Sequence, residues 1–579
     1  MSTTDLAAIS APSIAYGALS PMLIVFGAGV VGVLVEAFAP RTRRPGVQII
    51  LSLCALLAAL VAVVVVAIDV IADRGSAATG NVAGQGETLM SGAVILDRPA
   101  LFLQGLLILV AVAAVAFLGE RGLERVVSSR SATSPRARRR VSDGPGAAAQ
   151  AALAGDRADM FTPSGAAVPN TDDEFEATQS GAVTTEVFPL ALLAVGGMML
   201  FVACGDLLTM FIALEVFSLP LYLLCGLARR RRLLSQEASL KYFLLGAFSS
   251  AFFLFGAAFV YGAAGSVDLH TVGAVVAAAP TDQQRLALIG LALLGVGLLF
   301  KVGAIPFHAW VPDVYQGAPT PVTAFMAAAT KIAAFGALAR VLATGFGGLA
   351  DQWRPALWAI AILTMVGGAV MAVSQTDVKR LLAYSAVTHT GFILLGVITI
   401  ADDEPRGVAA MLFYLAAYGF STFGAFATVA VVREPDPVAG RSGPHLSGRE
   451  ATGLAQWAGL GRRYPLVGAM FSMFLLAFAG IPLTSGFIAK FAVFAAVAGG
   501  GGGVLVALGV LASAIAAYFY IRIIVAMFFS DVPVDNAPHV VRPSALTTTS
   551  IAVCTAVTLV LGFFPQPLLD LAGNVGGFR

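Results

Sequence analysis

Long, uninterrupted apolar runs constrain the fold of this chain more than any other feature of its sequence. Residues 99–119 carry no charge and residues 47–71 carry one, and about 20 apolar helical residues are enough to cross the hydrocarbon core of a bilayer. Strands of a membrane barrel would instead show alternating segments of roughly ten residues. The runs therefore predict an all-α polytopic membrane protein.

The overall composition supports the same fold class. Apolar residues make up 58% of the 579 positions and charged residues only 12%, about half the roughly 25% found in soluble proteins. A soluble globular fold is therefore excluded. A net charge of +2 also argues against a nucleic-acid partner.

Apolar runs bounded by charges, glycine or proline predict fourteen transmembrane spans. In chain order these spans cover residues 14–39, 47–71, 99–119, 186–204, 206–228, 238–264, 286–311, 320–346, 355–374, 381–401, 407–432, 464–498, 502–529 and 544–568. The fourth and fifth spans are divided only by Gly205 and Asp206. The first basic residue is Arg41, so the chain lacks the basic start of a signal peptide and we expect the first span to be retained.

The distribution of lysine and arginine predicts the orientation. The segments after odd-numbered spans hold 23 of these residues, whereas the two tails and the segments after even-numbered spans hold 6. Cytoplasmic loops retain positive charge, so we expect both termini on the outer side.

The segment 120–186 interrupts the pattern of short loops. It is Ala/Gly/Ser-rich, and its charges are grouped, with Arg136, Arg138, Arg139 and Arg140 preceding Asp172, Asp173, Glu174 and Glu176. Such a composition lacks the apolar content needed to fold alone. We expect a flexible or partner-bound cytoplasmic segment, and a linker without a function of its own is the simpler interpretation.

The sequence offers no site for a metal or a redox group. The four cysteines, Cys54, Cys204, Cys225 and Cys554, all lie within apolar spans and form no CxxC or Cys/His cluster. No G-x-G-x-x-G fingerprint occurs in a strand–helix context. We therefore expect no cofactor and no metal on this chain.

Several charged residues lie inside the predicted spans. The basic ones are Lys241, Lys301, Lys331, Arg340, Lys490 and Arg522, and the only acid deep within a span is Glu215. Each such group costs roughly 2.5–3.5 kcal/mol at a helix centre. Long side chains near span ends can snorkel to the interface, which suits Lys241, Arg340 and Arg522.

Function is the better interpretation for Glu215, Lys301, Lys331 and Lys490, with a structural Glu–Lys pair or a topology signal as the alternatives. A desolvated lysine can exchange a proton near neutral pH, and a carboxylate that moves toward or away from it changes its proton affinity. His389, inside the tenth span, could extend such a path. His308 lies near a span end, where bonding to a loop is equally plausible.

Two spans are interrupted beside their charges. Pro306 leaves the carbonyl of Val302 without a helical donor, and Gly480, Pro482 and Gly486 precede Lys490. Broken helices at membrane depth need protein or water to satisfy the freed backbone, so both breaks predict polar, hydrated cavities. The similarity of AIPF at 304–307 to GIPL at 480–483 is a weak indication of internal repeats.

Longer segments carry a resemblance to a known family. They are GDLLTMFIALEVFSLPLYLL, EASLKYFLLGAFSSAFFLFG, KVGAIPFHAWVPDVYQGAPTPVTAFMAAATKIAAF, DVKRLLAYSAVTHTGF and RRYPLVGAMFSMFLLAFAGIPLTSGFIAKF, all within about residues 190–530. The chain resembles the antiporter-like membrane subunits of respiratory complex I, most closely the N-type. It lacks the long lateral helix of the L-type, and it has Lys490 where the M-type has glutamate.

The resemblance implies fourteen helices, with helices 4–8 and 9–13 forming two inverted five-helix repeats and helices 7 and 12 broken. The corresponding units are residues 1–119, the 120–186 loop, 187–346, 347–529 and 530–579. It also implies that Glu215 and Lys301 form a charge-switching pair, that Lys331 continues a central axis and that Lys490 leads outward. Lys241, His308 and His389 match further family positions of less certain role.

By resemblance, the chain would move protons outward across a bacterial cell membrane while an NADH:quinone oxidoreductase transfers electrons. NADH, FMN, iron–sulfur clusters and quinone would bind other subunits. The expected partners are M-type, L-type and small K-, J- and A-type membrane subunits, together with lipids. A subunit of a multi-subunit cation/proton antiporter is the alternative, and a purely structural scaffold would leave the buried charges unexplained.

Overall fold

The computed structural model describes residues 14–71, 87–127, 157–162, 171, 183–402, 405–434, 445–446, 449–532 and 538–578. These ranges contain nineteen α-helices: α1 (Tyr16–Phe38), α2 (Arg44–Ile71), α3 (Arg98–Leu118), α4 (Val187–Phe201), α5 (Leu207–Cys225), α6 (Arg232–Ala264), α7 (Leu269–Ala278), α8 (Thr281–Val302), α9 (Trp310–Gly317), α10 (Thr320–Arg340), α11 (Ala350–Val373), α12 (Val378–Ile398), α13 (Pro405–Val431), α14 (Leu460–Arg463), α15 (Pro465–Ala479), α16 (Ser485–Gly499), α17 (Gly503–Phe529), α18 (Ala545–Phe563) and α19 (Gln566–Gly573).

The helical membrane fold predicted from the sequence is confirmed. Within the described ranges, twelve helices are long and apolar enough to cross a bilayer. The shorter α4 and the two-part unit α15–α16 correspond to the remaining predicted spans, the fourth and the twelfth. The fourth and fifth spans are separate, because α4 ends at Phe201 and Asp206 caps the start of α5. The short helix α7 was not predicted.

Three helices form the centre of the bundle. The most apolar stretch of α10 is completely buried, and those of α12 and α13 are almost so. The sequence of α10 is rich in alanine, and small residues let membrane helices approach closely. By contrast, α2 and α17 leave most of their apolar side chains on the outside, as expected of helices that face lipid.

Both predicted helix breaks are confirmed. The seventh span is divided into α8 and α9, and the twelfth into α15 and α16. The first half of each ends at a glycine in the left-handed region, Gly303 with φ +77° and Gly480 with φ +79°, a conformation that side chains disfavour. Each break therefore leaves the carboxyl end of a half-helix inside the membrane region.

The segments α4–α10 and α11–α17 share local features. Asp206 caps α5 and Asp377 caps α12 through side-chain bonds to backbone amides, and each segment contains one of the broken helices. These correspondences support two internal repeats. Their inverted relation stays a prediction, as do the domain boundaries.

A further correspondence involves one arginine in each segment. Arg340 donates from Nε to the carbonyl of Val202 at 3.1 Å, next to the end of α4. Arg522 donates to the carbonyl of Val373, the last residue of α11, at 2.8 Å. In both segments the last helix therefore caps the carboxyl end of the first.

Seven short antiparallel strands lie outside the helices. They are β1 (Glu87–Leu89), β2 (Val94–Leu96), β3 (Glu124–Val127), β4 (Arg157–Ala158), β5 (Val432–Arg433), β6 (His445–Leu446) and β7 (His539–Val540). β1 pairs with β2, β5 pairs with β7, and β3 lies between β4 and β6.

The described parts of segment 120–186 are anchored to the helical body. Besides the pairing of β3 and β4, Phe161 is buried, and the Asp159 carboxylate forms a buried ion pair with Arg229 at 2.6 Å. The expectation of a flexible loop is therefore wrong for these residues, because an apolar side chain and a buried ion pair attach them to the bundle. The charged groups at 136–140 and 172–176 lie outside the described residues.

Candidate functional site

Lys301 is buried at the carboxyl end of α8. Its Nζ donates to Ser218 Oγ at 2.7 Å and to Tyr222 OH at 3.3 Å, and four aromatic rings surround it with centroids 5.3–5.8 Å away. Aromatic faces attract cations. The site can therefore hold an ammonium group without a carboxylate in contact.

Glu215 lies one turn before Ser218 on α5. Its Oε1 is buried and accepts no hydrogen bond within the described part of the chain, and no ion pair joins it to Lys301 there. The predicted Glu215–Lys301 pair is thus not a direct contact in this structure, and the Lys301 ammonium bonds Ser218 and Tyr222 instead. An effect of Glu215 on Lys301 would act across this gap, or after a rearrangement.

Lys331 connects α10 to α8 and α12. Its Nζ donates to the carbonyls of Val302 and Ala386, each at 2.9 Å, and closely to Thr390 Oγ1. The Val302 carbonyl is the one that Pro306 was predicted to leave free. The carboxyl end of a helix carries partial negative charge, so Lys331 is held by the end of α8 without an acidic partner.

Lys490 makes an analogous contact at the second break. Its Nζ donates to the carbonyls of Phe478 and Ala479 at 2.8 and 3.0 Å, and to Ser513 Oγ at 2.8 Å. Phe478 and Ala479 are the last two residues of α15. Both breaks therefore present helix-end carbonyls to a buried lysine.

His389 lies on α12 beside Thr390. Its Nδ1 is 2.8 Å from Tyr414 OH and its Nε2 is 3.3 Å from Tyr520 OH, and the electrostatic influence of both Lys331 and Lys490 reaches it. It lines a cavity of about 10 Å³ next to the second break, enough for about one water molecule. We call Lys301, Lys331, His389 and Lys490 the lysine axis.

Tyr418 lies between two members of the axis. Its ring centroid is 5.9 Å from Lys331 Nζ and 5.1 Å from the His389 ring centroid, and it lines the same cavity. The Tyr418 hydroxyl is buried and has no hydrogen-bond partner among the described residues. It can accept or donate one hydrogen bond to a water in the cavity, and the sequence analysis did not select it.

The family described as NADH:quinone oxidoreductase/Mrp antiporter, TM, matches residues 204–516. The chain belongs to this family. All members of the lysine axis lie within the matched range.

Two relatives with the same name match nearly the whole chain. A protein from Mycobacterium tuberculosis named NADH-quinone oxidoreductase subunit N is 56% identical over 564 residues, covering 97% of this chain and 98% of the relative. A subunit N from Mycobacteroides abscessus is 54% identical over 575 residues, covering 99% of both chains. The sequence similarity to these relatives therefore extends well beyond the residues of the lysine axis.

Solved structures of the family share the fold. A chain of Thermus thermophilus respiratory complex I with bound aureothin has a TM-score of 0.69 and 29% identity, covering 96% of this chain and all of that one. A chain of the Mrp complex from Dietzia has a TM-score of 0.71 but 21% identity, covering 97% of both chains. The fold alone does not separate these two classes of the family, whereas sequence similarity favours the complex I subunits.

Two site residues that the family resemblance implied, Lys241 and His308, lie apart from the lysine axis. The Lys241 side chain is 42% exposed and forms ion pairs with Glu237 at 2.6 Å and Asp313 at 2.8 Å. His308 lies half-buried in the connector between α8 and α9 and makes no hydrogen bond to a lysine of the axis in the described structure. Neither side chain joins the buried residues of the lysine axis.

The two arginines do not snorkel as the sequence suggested. Arg340 is completely buried, with two 2.8 Å bonds to the Asp97 carboxylate. Arg522 bonds the carbonyls of Val373 and Gln375 at 2.8 and 2.5 Å. Each cation is held by fixed partners of this chain, so contact with lipid headgroups is unnecessary.

Sequence reasoning did not select Lys379, one of several buried cations that it had counted as loop residues. Lys379 was counted as part of a loop, but it lies in the first turn of α12 and is 2% exposed. A signal was present, since Lys379, Ala386 and Thr390 are spaced by seven and four residues and so lie on one helix face. Within the described residues no cluster of three or more His, Cys, Asp or Glu side chains could hold a metal ion.

Proposed function

We propose that this chain is the proton-translocating N-type membrane subunit of an NADH-quinone oxidoreductase. Its relatives at more than half identity carry that name, and the chain has the family's helical membrane fold. The observation that supports proton transport is the row of buried lysines, each held by carbonyls, hydroxyls or aromatic rings and not by a fixed carboxylate. Such partners let a lysine lose its proton without leaving an unpaired anion.

The contacts support a relay in which the proton passes along the lysine axis. Ser218 holds the Lys301 ammonium one turn from Glu215, so a shift of α5 that brings the carboxylate closer raises the proton affinity of Lys301. Lys331, His389 and Lys490 continue the row, with Thr390 and Tyr520 hydroxyls beside them. We infer that water in the cavity beside the second break, and water in the cavity predicted at the first, complete the path.

The chemistry of electron transfer would belong to other subunits. We propose that NADH, FMN, iron–sulfur clusters and quinone bind there, and that this chain couples to them through its helices. The proposed neighbours are M-type, L-type and small K-, J- and A-type subunits, with lipids around α2 and α17. The proposed location is a bacterial cell membrane with both termini outside.

Replacing Glu215 with glutamine tests the charge switch, because the substitution removes the charge and keeps the size. We expect the complex to assemble and its proton pumping to fall, measured by dye quenching in inverted membrane vesicles during NADH oxidation. The control is Glu186→Gln, which removes an exposed carboxylate just before α4. Normal pumping by an assembled Glu215→Gln complex contradicts the switch.

A subunit of a cation/proton antiporter is the second candidate, because the family that matches the chain includes Mrp antiporters. Purification of the native complex distinguishes the two. Flavin and iron–sulfur subunits that copurify support the oxidoreductase, whereas a sodium-exchanging complex without them supports the antiporter.

A further inference from the structure

A basic pocket lies where five connecting segments meet. Its walls come from the segments that follow the third, fifth, seventh, ninth and eleventh predicted spans, and they include Arg231, Gln316, Thr320, Lys379, Arg433 and Glu450. The cavity is about 40 Å³, enough for about three water molecules. All these segments belong to the face predicted to be cytoplasmic, so the pocket lies where protons would be taken up.

Lys379 forms the inner wall of this pocket. Its Nζ donates to Thr320 Oγ1 at 2.9 Å and to the Ala318 carbonyl at 3.2 Å, and it lies 3.5 Å from Glu450 Oε2. Thr320 in turn donates to Glu450 Oε1 at 2.6 Å. The side chain of Lys379 is 3% exposed and that of Glu450 17%, so the carboxylate is nearer to solvent than the ammonium.

The charges around Glu450 keep it ionised. Burial raises the pKa of the Glu450 carboxyl, but Lys379, Arg433 and the Thr320 hydrogen bond together lower it below its ordinary value. The other charges near Lys379 are Asp377 and Arg231, and Arg230 and Arg449 also line the pocket. The carboxylate is therefore a fixed anion 3.5 Å from the Lys379 ammonium.

Two helices connect this pocket to the lysine axis. On α12, Lys379 shares a face with Ala386 and Thr390, which both accept from Lys331. On α10, Thr320 and Lys331 are eleven residues apart and likewise share a face. The same two helix faces therefore touch at Lys379 and again at Lys331, whose partners Ala386 and Thr390 lie about 10–16 Å farther along α12.

Small side chains line the interval between these two contacts. Ala324 and Ala327 on α10 and Ala383 on α12 are buried there. Alanine faces leave room for a file of waters when the helices separate slightly, and they close when the helices pack. Proton transfer through the interval therefore requires the two helices to separate enough to admit water.

We propose that Lys379 is the proton-uptake residue of this chain and delivers protons to Lys331, an inference that rests on the proposed proton-transport function. The Lys379 ammonium releases its proton through the interval to a neutral Lys331 amine, which becomes an ammonium. The neutral Lys379 amine then takes a proton from a hydronium ion in the pocket and leaves water. Glu450 stays ionised throughout and acts as a positioning residue that sets the proton affinity of Lys379.

The first test replaces Lys379 with arginine in the intact complex. Arginine keeps the charge and can bond Thr320, Ala318 and Glu450, but it does not release a proton in the working range. We expect the complex to assemble and to pump as poorly as Lys379→Met, with Arg462→Gln, an exposed cation on the same predicted face, as the control. Normal pumping by Lys379→Arg means that Lys379 only fastens α12 to α10, and overturns the proposal.

The second test separates positioning from structure. Glu450→Gln removes the carboxylate that favours the Lys379 ammonium, so the alkaline limb of the pumping profile should move down by about 1–3 pH units. An unchanged pH profile overturns the role of Glu450 as a positioning residue. If Lys379→Arg does not assemble, this pH profile tests the proposal in its place. Pumping by Lys331→Met is measured in parallel. Normal pumping by this variant contradicts the proton relay itself. Loss of pumping in Lys331→Met, but not in the Lys379 and Glu450 variants, contradicts only the uptake site.

Discussion

Substitutions of Lys331 separate the effect of its charge on proton pumping from the effect of its packing on stability. Lys331→Met retains most of the side-chain stem but removes the ammonium from the carbonyls of Val302 and Ala386. Those carbonyls keep a donor, since Thr390 Oγ1 lies 2.7 Å from Val302 O and 3.1 Å from Ala386 O. One hydroxyl hydrogen serves both, so at most one acceptor is left poorly satisfied.

The expected stability change is therefore small. A buried acceptor without a donor costs about 1–3 kcal/mol, but the substitution also removes the penalty of burying a charge. The free energy of unfolding should change by less than about 2 kcal/mol, and the complex should assemble. Lys331→Arg adds volume to a closely packed site and should lose about 1–3 kcal/mol.

Pumping should respond differently from stability. Both variants lack a proton that can be released in the working range, so both should lose the transport that passes through this chain. Assembly is checked on native gels, stability by thermal denaturation of the purified complex, and transport by dye quenching in vesicles. Thr330→Ala, whose hydroxyl bonds only back to Met326 in its own helix, is the matched control. Pumping at the unsubstituted rate by Lys331→Arg refutes the relay and leaves Lys331 as a fixed charge.

Two further substitutions test the structure around the axis. Asp97→Ala leaves the fully buried Arg340 cation without its carboxylate, so the complex should lose about 3–5 kcal/mol of stability; adding Arg340→Met should restore most of it in thermal denaturation, and no restoration contradicts the reasoning. Pro482→Ala returns an amide donor to the second break and should let α15 and α16 straighten, which weakens the carbonyl contacts of Lys490 and lowers pumping. Unchanged Lys490 contacts in a high-resolution map of that variant argue against the break as the cause, and Pro565→Ala at the start of α19 is its control.

The sequence predicted those parts of the structure that follow from local chemistry. Apolar length located the spans, and proline with glycine located both breaks. The missing amide of Pro306 even identified the Val302 carbonyl, and the structure supplies Lys331 as its donor. The burial of Lys331 and Lys490 follows from their positions inside apolar spans in the same way.

Contacts between distant segments could not be predicted. Asp97 lies outside the spans, and nothing local shows that it meets Arg340 in another part of the chain. Lys379 is buried because Ala318, Thr320 and Glu450, from two distant segments, surround its ammonium. Glu215 and Lys301 were expected to pair, but Lys301 bonds Ser218 and Tyr222 of the same helix instead, and a single sequence does not reveal helix rotation.

The lysine contacts at the two breaks tie proton occupancy to mechanical state. A cation at a helix carboxyl end contributes about 0.3–2 kcal/mol, which corresponds to a factor of about 2–30 in an equilibrium constant. When Lys331 or Lys490 gives up its proton, the half-helix end it holds is released by that amount. Thermodynamic reciprocity then requires that any force pulling the half-helix away loosens the proton by the same factor. If these lysines exchange protons as proposed, each break converts strain on a half-helix into a change in the proton affinity of a lysine, and the reverse.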